Sequence, residues 1–140
     1  GRAPATLRTL AEWRERHPEI ELLLVRGNHD RGAGDPPPEL GLACFDPPLV
    51  EPPFALAHHP EPVAEEYVLA GHLHPGVRLT GSGRQRERLP CFWFRSAAAV
   101  LPAFGDFTGL ADVRPQPGER VFVVAGDLVM EVTRDAATHE

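Results

Sequence analysis

The sequence has few cysteines and no long apolar run, and both absences narrow the kinds of protein that it can encode. Its two cysteines, Cys44 and Cys91, have no C-x-x-C spacing, so they indicate neither a zinc knuckle nor a disulfide framework. No apolar run reaches the roughly 18 residues of a membrane span, and the N-terminal residues lack the apolar centre of a secretion signal. We therefore expect a protein of the reducing cytoplasm without a membrane segment.

Basic residues are also in the minority. The formal net charge of -6 at pH 7 argues against a surface coated with basic residues for general nucleic-acid binding, although it allows a local basic patch. With 140 residues, 42% of them hydrophobic, the chain is long enough for one domain with one core. We expect residues 1–140 to form that domain and residues 135–140 to be a frayed tail.

The pattern along the chain predicts one helix followed mainly by β structure. An amphipathic helix is expected from Pro4 to His17, where a proline ends it. The aliphatic run Ile20–Val25 favours a strand that is buried on both faces. Prolines are dense from Asp35 to Pro62, so Phe54–Ala57 is the one strand expected there. After residue 75, alternating segments predict further strands.

Three of the predicted strands end in residues that suit coordination chemistry better than packing. These strands are Ile20–Val25, Phe54–Ala57 and Glu66–Ala70. The residues that follow them are Asn28, His29 and Asp30 after the first, His58 and His59 after the second, and His72 and His74 after the third. In sheets covered by helices, ligands bind just outside the strand ends, so these side chains could meet in one pocket.

Such a pocket would suit a divalent metal, because imidazole nitrogens and amide or carboxylate oxygens bind Mn, Fe, Zn or Ni. His72 and His74 are two residues apart, so in an extended segment they would point the same way. Each motif alone has an ordinary alternative: HH before proline is typical of a solvated loop, and GNHD of a turn. The combination, with each motif directly after a strand, favours a metal site.

These motifs resemble those of the calcineurin-like metallophosphoesterases. GNHD at residues 27–30, LAHHP at 56–60 and GHLHP at 71–75 are similar to the last three motifs of that family. The segment VLPAFGDFTGL, residues 100–110, resembles a bacterial subgroup associated with a DNA ligase in the damage response. The resemblance implies an α/β fold in which two packed β-sheets are flanked by helices, and a metal-dependent phosphodiesterase or nuclease that acts on DNA.

The resemblance also implies separate roles for the polar residues at two divalent metal ions, which polarise the phosphoryl group. Four residues would bind the metals: Asn28, His58 and His72 one ion, and His74 the other. His58 is preferred to His59 because it directly follows the strand. His29 would be the general acid beside the leaving oxygen, and Asp30 would orient it. Manganese is the first choice of metal, with iron, zinc or nickel as alternatives.

Two motifs of that family are missing, because D-x-H and G-D-x-x-D should precede GNHD and neither occurs in residues 1–26. We therefore expect an N-terminally truncated chain that binds metal weakly and is inactive by itself. The alternatives are a non-catalytic scaffold that binds a repair partner such as a DNA ligase or helicase, and a phosphodiesterase of a small nucleotide. A structural site of Asn28, His58 and His72 is less favoured, because structural zinc sites are commonly Cys-rich.

A basic segment follows GHLHP closely and contains Arg84, Arg86 and Arg88, with Arg78 before it. Alternate residues of a hairpin face one side, so these arginines could hold a nucleic-acid backbone. A solvated hairpin tip balanced by Glu87 is the alternative, and it is the more usual behaviour of charge runs. The aromatic run CFWF that comes next could stack bases. Alternation in a strand would bury only some of these residues, and core packing is the favoured interpretation.

Overall fold

The computed structural model describes residues 4–80, 86–105 and 109–132. The chain divides into two compact units, Gly1–Leu49 and Val50–Glu140. Over the described residues strands outweigh helices, and most of the strands lie in the second unit, which confirms the predicted α/β fold class. Among the described residues, no helix is both long and apolar enough to cross a membrane. The predicted tail, 135–140, lies outside the described residues.

The first unit combines a surface helix with a pair of parallel strands. Its elements are α1 (Pro4–Arg16), β1 (Leu22–Val25), α2 (Asp30–Ala33), a 3-10 helix (Pro38–Leu40) and β2 (Leu42–Phe45). The register of β1 and β2 runs from Leu22 opposite Leu42 to Val25 opposite Phe45. The predicted helix is confirmed, and it ends one residue before His17.

Two sequence-based expectations for this part of the chain were wrong. Leu23, in the middle of β1, is 42% exposed, so this strand is not buried on both faces. The proline-rich segment contains β2 and β3 (Leu49–Glu51) as well as the predicted strand. Prolines do not prevent these strands, because they lie in the connections between strands, where no ladder hydrogen bond is lost.

The second unit is a mixed β-sheet. Its elements after β3 are β4 (Phe54–Ala57), β5 (Tyr67–Ala70), β6 (Pro75–Thr80), β7 (Arg86–Phe94), β8 (Ala98–Val100), β9 (Ala111–Asp112), β10 (Arg120–Ala125) and β11 (Leu128–Glu131). The strand order is β11-β10-β7-β8-β5-β4-β3, and β6 pairs with both β7 and β9. The strands β4, β5 and β8 are parallel to one another, whereas β7 is antiparallel to β6, β8 and β10.

Two apolar clusters form the core of this unit. The first contains Ala55 and Val68, which come from the parallel strands β4 and β5. The second contains Cys91, Val121 and Val123, and the odd-numbered neighbours of Cys91 on β7 pack against it. The core therefore lies on the face of the sheet that carries the odd-numbered residues of β7 and β10.

Candidate functional site

The polar residues that follow β4 and β5 lie at one edge of the sheet. They pair in parallel, from Phe54 opposite Tyr67 to Ala57 opposite Ala70. His58 is the first residue after its strand and His72 is the second after its own. Because the carboxyl ends of parallel strands meet at one edge, this register brings both histidines to the same place.

Three histidines cluster at this edge, and we call them the histidine group: His58, His59 and His72. One ligand nitrogen from each lies within 4.8 Å of those of the other two. His72 Nδ1 is 2.8 Å from His58 Nε2, and the ring centroids of His59 and His72 are 4.1 Å apart. His58 and His72 are half-buried, whereas His59 is exposed. This group could hold a metal ion.

The spacing of the nitrogens fits a metal with a small adjustment. In a tetrahedral site with metal–nitrogen bonds of about 2.0–2.1 Å, the donor nitrogens lie about 3.3–3.4 Å apart. The 2.8 Å between His72 Nδ1 and His58 Nε2 is a hydrogen-bond distance. Binding of a metal would separate these two atoms by about half an ångström, which small side-chain rotations allow.

The loop that carries His72 differs from the expected extended segment. His72 and His74 have φ angles of 59° and 46°, in the left-handed region, and the Leu73 N–H donates to the Gly71 carbonyl at 2.7 Å. The argument that His72 and His74 point the same way was therefore wrong, because it required extended backbone. His74 lies outside the histidine group, and its role at a second metal stays a prediction.

Sequence reasoning ranked His59 below His58, whereas the structure brings both beside His72. The ranking preferred His58 because it directly follows the strand. Alternation ends with the strand at Ala57, so two consecutive histidines can face one point. A histidine pair between a strand and a proline is the signal that could have pointed to His59.

The GNHD turn after β1, in the first unit, holds its shape through Asp30. The carboxylate Oδ2 of Asp30 accepts a hydrogen bond from the Gly27 N–H at 2.7 Å, and the Asp30 N–H donates to the Gly27 carbonyl at 3.2 Å. His29 precedes α2, and its carbonyl accepts the Ala33 N–H at 3.1 Å. The side chains of Asn28 and His29 are exposed. Asp30 thus fixes the turn, while its predicted action on the His29 ring stays a prediction.

Arg26 connects this turn to two neighbouring loops. Its Nε lies 2.7 Å from one Asp35 oxygen, a second guanidinium nitrogen is 2.8 Å from the other, and a third is 3.2 Å from Asp46. The Arg26 hydrogen bond holds the pKa of Asp35 below its usual value, and the same bond raises the pKa of Arg26. Nothing in the sequence had indicated this charge group.

The predicted arginine patch is only partly described. Arg84 lies outside the described residues, and Arg86 begins β7. Arg78 and Arg88 lie directly opposite each other on β6 and β7. A guanidinium nitrogen of Arg78 lies 3.2 Å from one Asp112 oxygen, and Arg88 Nε lies 2.8 Å from the other. Arg88 also donates to the Leu110 carbonyl. The balancing carboxylate is therefore Asp112, whereas the sequence had suggested Glu87.

Comparison with known proteins is informative at the level of solved structures. No protein-family model matches the chain, and neither does any curated protein, so membership of the calcineurin-like metallophosphoesterases stays a prediction. Among solved structures, the chain is similar to the crystal structure of Pseudomonas putida nuclease MPE, at 44% sequence identity and a TM-score of 0.79. The match covers 94% of this chain and 64% of that one. This chain is therefore similar, over nearly all of its length, to a little under two thirds of a nuclease.

Proposed function

We propose that this chain carries part of the active site of a metal-dependent phosphodiesterase that cleaves nucleic acid. The observation that carries the proposal is the histidine group, in which three imidazole nitrogens lie within 4.8 Å of one another at the ends of β4 and β5. The similarity to a nuclease at 44% identity supports nucleic acid as the substrate. The substrate, metal and partners of the whole protein belong to the same proposal.

The donor set favours a catalytic metal over a structural one. Structural zinc sites are closed by four ligands and commonly contain cysteine, whereas catalytic sites have three protein ligands and an open position. The histidine group offers three nitrogens, and the exposed ring of His59 leaves the site accessible to substrate. A divalent ion bound there would polarise the phosphoryl group and stabilise charge on its oxygens.

The GNHD turn would contribute the proton that the leaving oxygen needs. His29 is exposed, and an imidazole can hold and release a proton near neutral pH, so we propose it as the general acid. Asp30 would act through the backbone, because its carboxylate holds the turn on which His29 is presented. Asn28 and His74 are proposed to complete a site for two metals.

The remaining features of the proposal come from the sequence. Manganese is the first metal to test, followed by iron, zinc and nickel. DNA is the proposed substrate, in a damage-response setting with a ligase or helicase as partner. Cys44 and Cys91 are unpaired, in keeping with the proposed cytoplasmic location.

The test is Mn²⁺-dependent cleavage of a labelled DNA oligonucleotide by the full-length gene product. Replacement of His72 by Ala should lower the rate at least about 100-fold, since loss of a partner behind a metal ligand already costs about 10–100-fold. The control is His17→Ala, at the end of α1, which should leave the rate unchanged.

A bound metal without cleavage in the full-length protein would contradict the proposal and favour a non-catalytic scaffold. Cleavage that survives His72→Ala would also contradict it. Hydrolysis of a small chromogenic diester without cleavage of DNA would point to a small nucleotide as the substrate.

A further inference from the structure

The face of the second unit's sheet opposite its core carries an apolar groove. Phe92, Phe94, Phe122 and Val129 line this groove, and we call them the aromatic face. On β7 and β10 the neighbouring residues Cys91, Val121 and Val123 are buried in the core. Because side chains alternate along a strand, the even-numbered residues lie on the opposite face. As alternation predicts, only some of the aromatic run faces the core: Trp93 packs against the core cluster, whereas Phe92 and Phe94 lie on the opposite face.

The rings of the aromatic face are neighbours on β7 and β10. Phe92 lies directly opposite Phe122 across β7 and β10. The rings of Phe94 and Phe122 meet edge to face, with centroids 5.5 Å apart and an interplanar angle of 84°. The Arg120 guanidinium lies 4.9 Å from the centroid of Phe122. Phenyl rings beside an arginine are a common surface for unpaired bases.

Positive charge continues along the same face of β7. Arg88 has the even numbering of Phe92 and Phe94, and Arg78 lies directly opposite it on β6. Both arginines contact Asp112, so two guanidinium groups share one carboxylate. Arg120 is balanced by Glu131. These charged contacts leave an excess of positive charge on the face, although the whole chain has a net charge of -6.

We propose that this face binds an unpaired stretch of nucleic acid, with bases stacked on the phenylalanines and phosphates beside Arg78 and Arg88. This inference rests on the proposed function, because it assigns a binding surface to the same substrate. Unpaired bases are required, since a duplex hides the faces of its bases within its own stack. Phosphate is the ligand that fits the excess of guanidinium groups.

The test is the fluorescence anisotropy of a labelled single-stranded oligonucleotide titrated with the full-length gene product in the presence of a metal chelator. Phe122→Leu keeps an apolar side chain but removes the ring, and should raise Kd roughly 5- to 100-fold. The matched control is Met130→Ala, because Met130 is 46% exposed and pairs with the core residue Val123. It should leave Kd unchanged.

A salt series separates the phosphate contacts from the stacking. Arg78→Gln should lower the slope of log K against log salt by about one, whereas Phe122→Leu should leave that slope unchanged. Equal Kd values for the wild type and Phe122→Leu would overturn the proposal. If Met130→Ala weakened binding as much as Phe122→Leu, the proposal would also be overturned. If Phe122→Leu changed the sedimentation mass of the protein but not its Kd, the aromatic face would be a contact between copies of the protein, and the proposal would fail.

Failure of the proposed function would be visible separately. Hydrolysis of a small chromogenic phosphodiester depends on the metal centre and does not need the aromatic face. Ring-dependent binding without any hydrolysis would leave this face intact and reject the catalytic proposal. Hydrolysis of the diester, together with oligonucleotide binding that does not depend on the Phe122 ring, would support the catalytic proposal and reject the binding role of the aromatic face.

Discussion

His72 Nδ1 and His58 Nε2 lie 2.8 Å apart although fourteen residues separate them in the chain. The contact follows from the parallel register of β4 and β5, which ends with Ala57 opposite Ala70. One of these nitrogens must donate and the other accept, so a single proton lies between them. A divalent ion would take the place of that proton.

Replacement of His59 by Ala should weaken Mn²⁺ binding at least about tenfold, because removal of a group behind a ligand already costs about 10–100-fold. Isothermal titration of the full-length gene product would measure this change. The comparison is His74→Ala, since His74 lies outside the histidine group. A larger loss in His74→Ala than in His59→Ala would show that the sequence-based ligand set describes the site better than the observed group.

Gly76→Ala should destabilise the second unit by about 1–3 kcal/mol, the usual range for overpacking. A Cβ at Gly76 would lie 2.9 Å from Leu110 Cβ, so β6 and the segment before β9 would have to separate. Gly109→Ala is the control, because a Cβ there meets nothing within 4 Å. Urea unfolding measures both variants, and equal midpoints for the two would contradict the close approach.

Asp35→Asn should reduce stability at neutral pH but not in acid. The Arg26 hydrogen bond lowers the pKa of Asp35 in the folded state, below its unfolded value of about 3.9. The stabilisation is therefore complete above about pH 4 and is lost as the pH falls through the lower, folded pKa.

Urea midpoints of the wild type and the Asp35→Asn variant should differ at pH 7 and converge as the pH falls through the acid range. In an Arg26→Met background, Asp35→Asn should have little effect at either pH. A difference that persists in that background would mean that Arg26 is not the partner responsible.

The buried thiol of Cys91 should make the protein less stable in alkali. Burial raises the pKa of Cys91 to about 11 in the folded state, whereas an unfolded thiol ionises near about 8.5. Between these values the unfolded chain binds fewer protons, so the free energy of unfolding falls as the pH rises, by up to about 1.4 kcal/mol per pH unit.

Cys91→Ala should remove this slope. The small cavity that it leaves should lower the free energy of unfolding by the same amount at every pH. Cys44→Ala should retain it. Urea unfolding between pH 8 and 10 tests both variants, because burial also raises the pKa of Tyr67 and this residue contributes only at higher pH. A slope that survives in Cys91→Ala within this range would assign the alkaline loss of stability to another group.

The elements could be predicted from the sequence wherever a local pattern decides them. The amphipathic pattern from Pro4 to His17 indicated α1, and the short apolar runs indicated β1, β4 and β5. The proximity of His58 and His72 could also be predicted from the sequence, because strands that end in coordinating residues commonly meet at one sheet edge.

The details that failed depend on contacts between distant segments. The left-handed φ of His72 and His74 removed the extended geometry on which their pairing was argued. Asp112 balances Arg78 and Arg88 only because β9 pairs with β6, a register that the sequence does not reveal. Phe92 lies on the face opposite the core because the odd-numbered residues of β7 are the buried ones. Alternation alone does not show whether the odd-numbered or the even-numbered residues of a strand face the core.

The ladder between β4 and β5 also gives the histidine group a mechanical role. Its nitrogens belong to residues that follow two different strands, so a bound ion would link the ends of β4 and β5. Neither strand could then separate from the other at this end without breaking metal–nitrogen bonds. Release of the ion and local separation of β4 from β5 would then occur together. A protease or unfoldase that pulled on β4 would have to overcome the binding free energy of the metal.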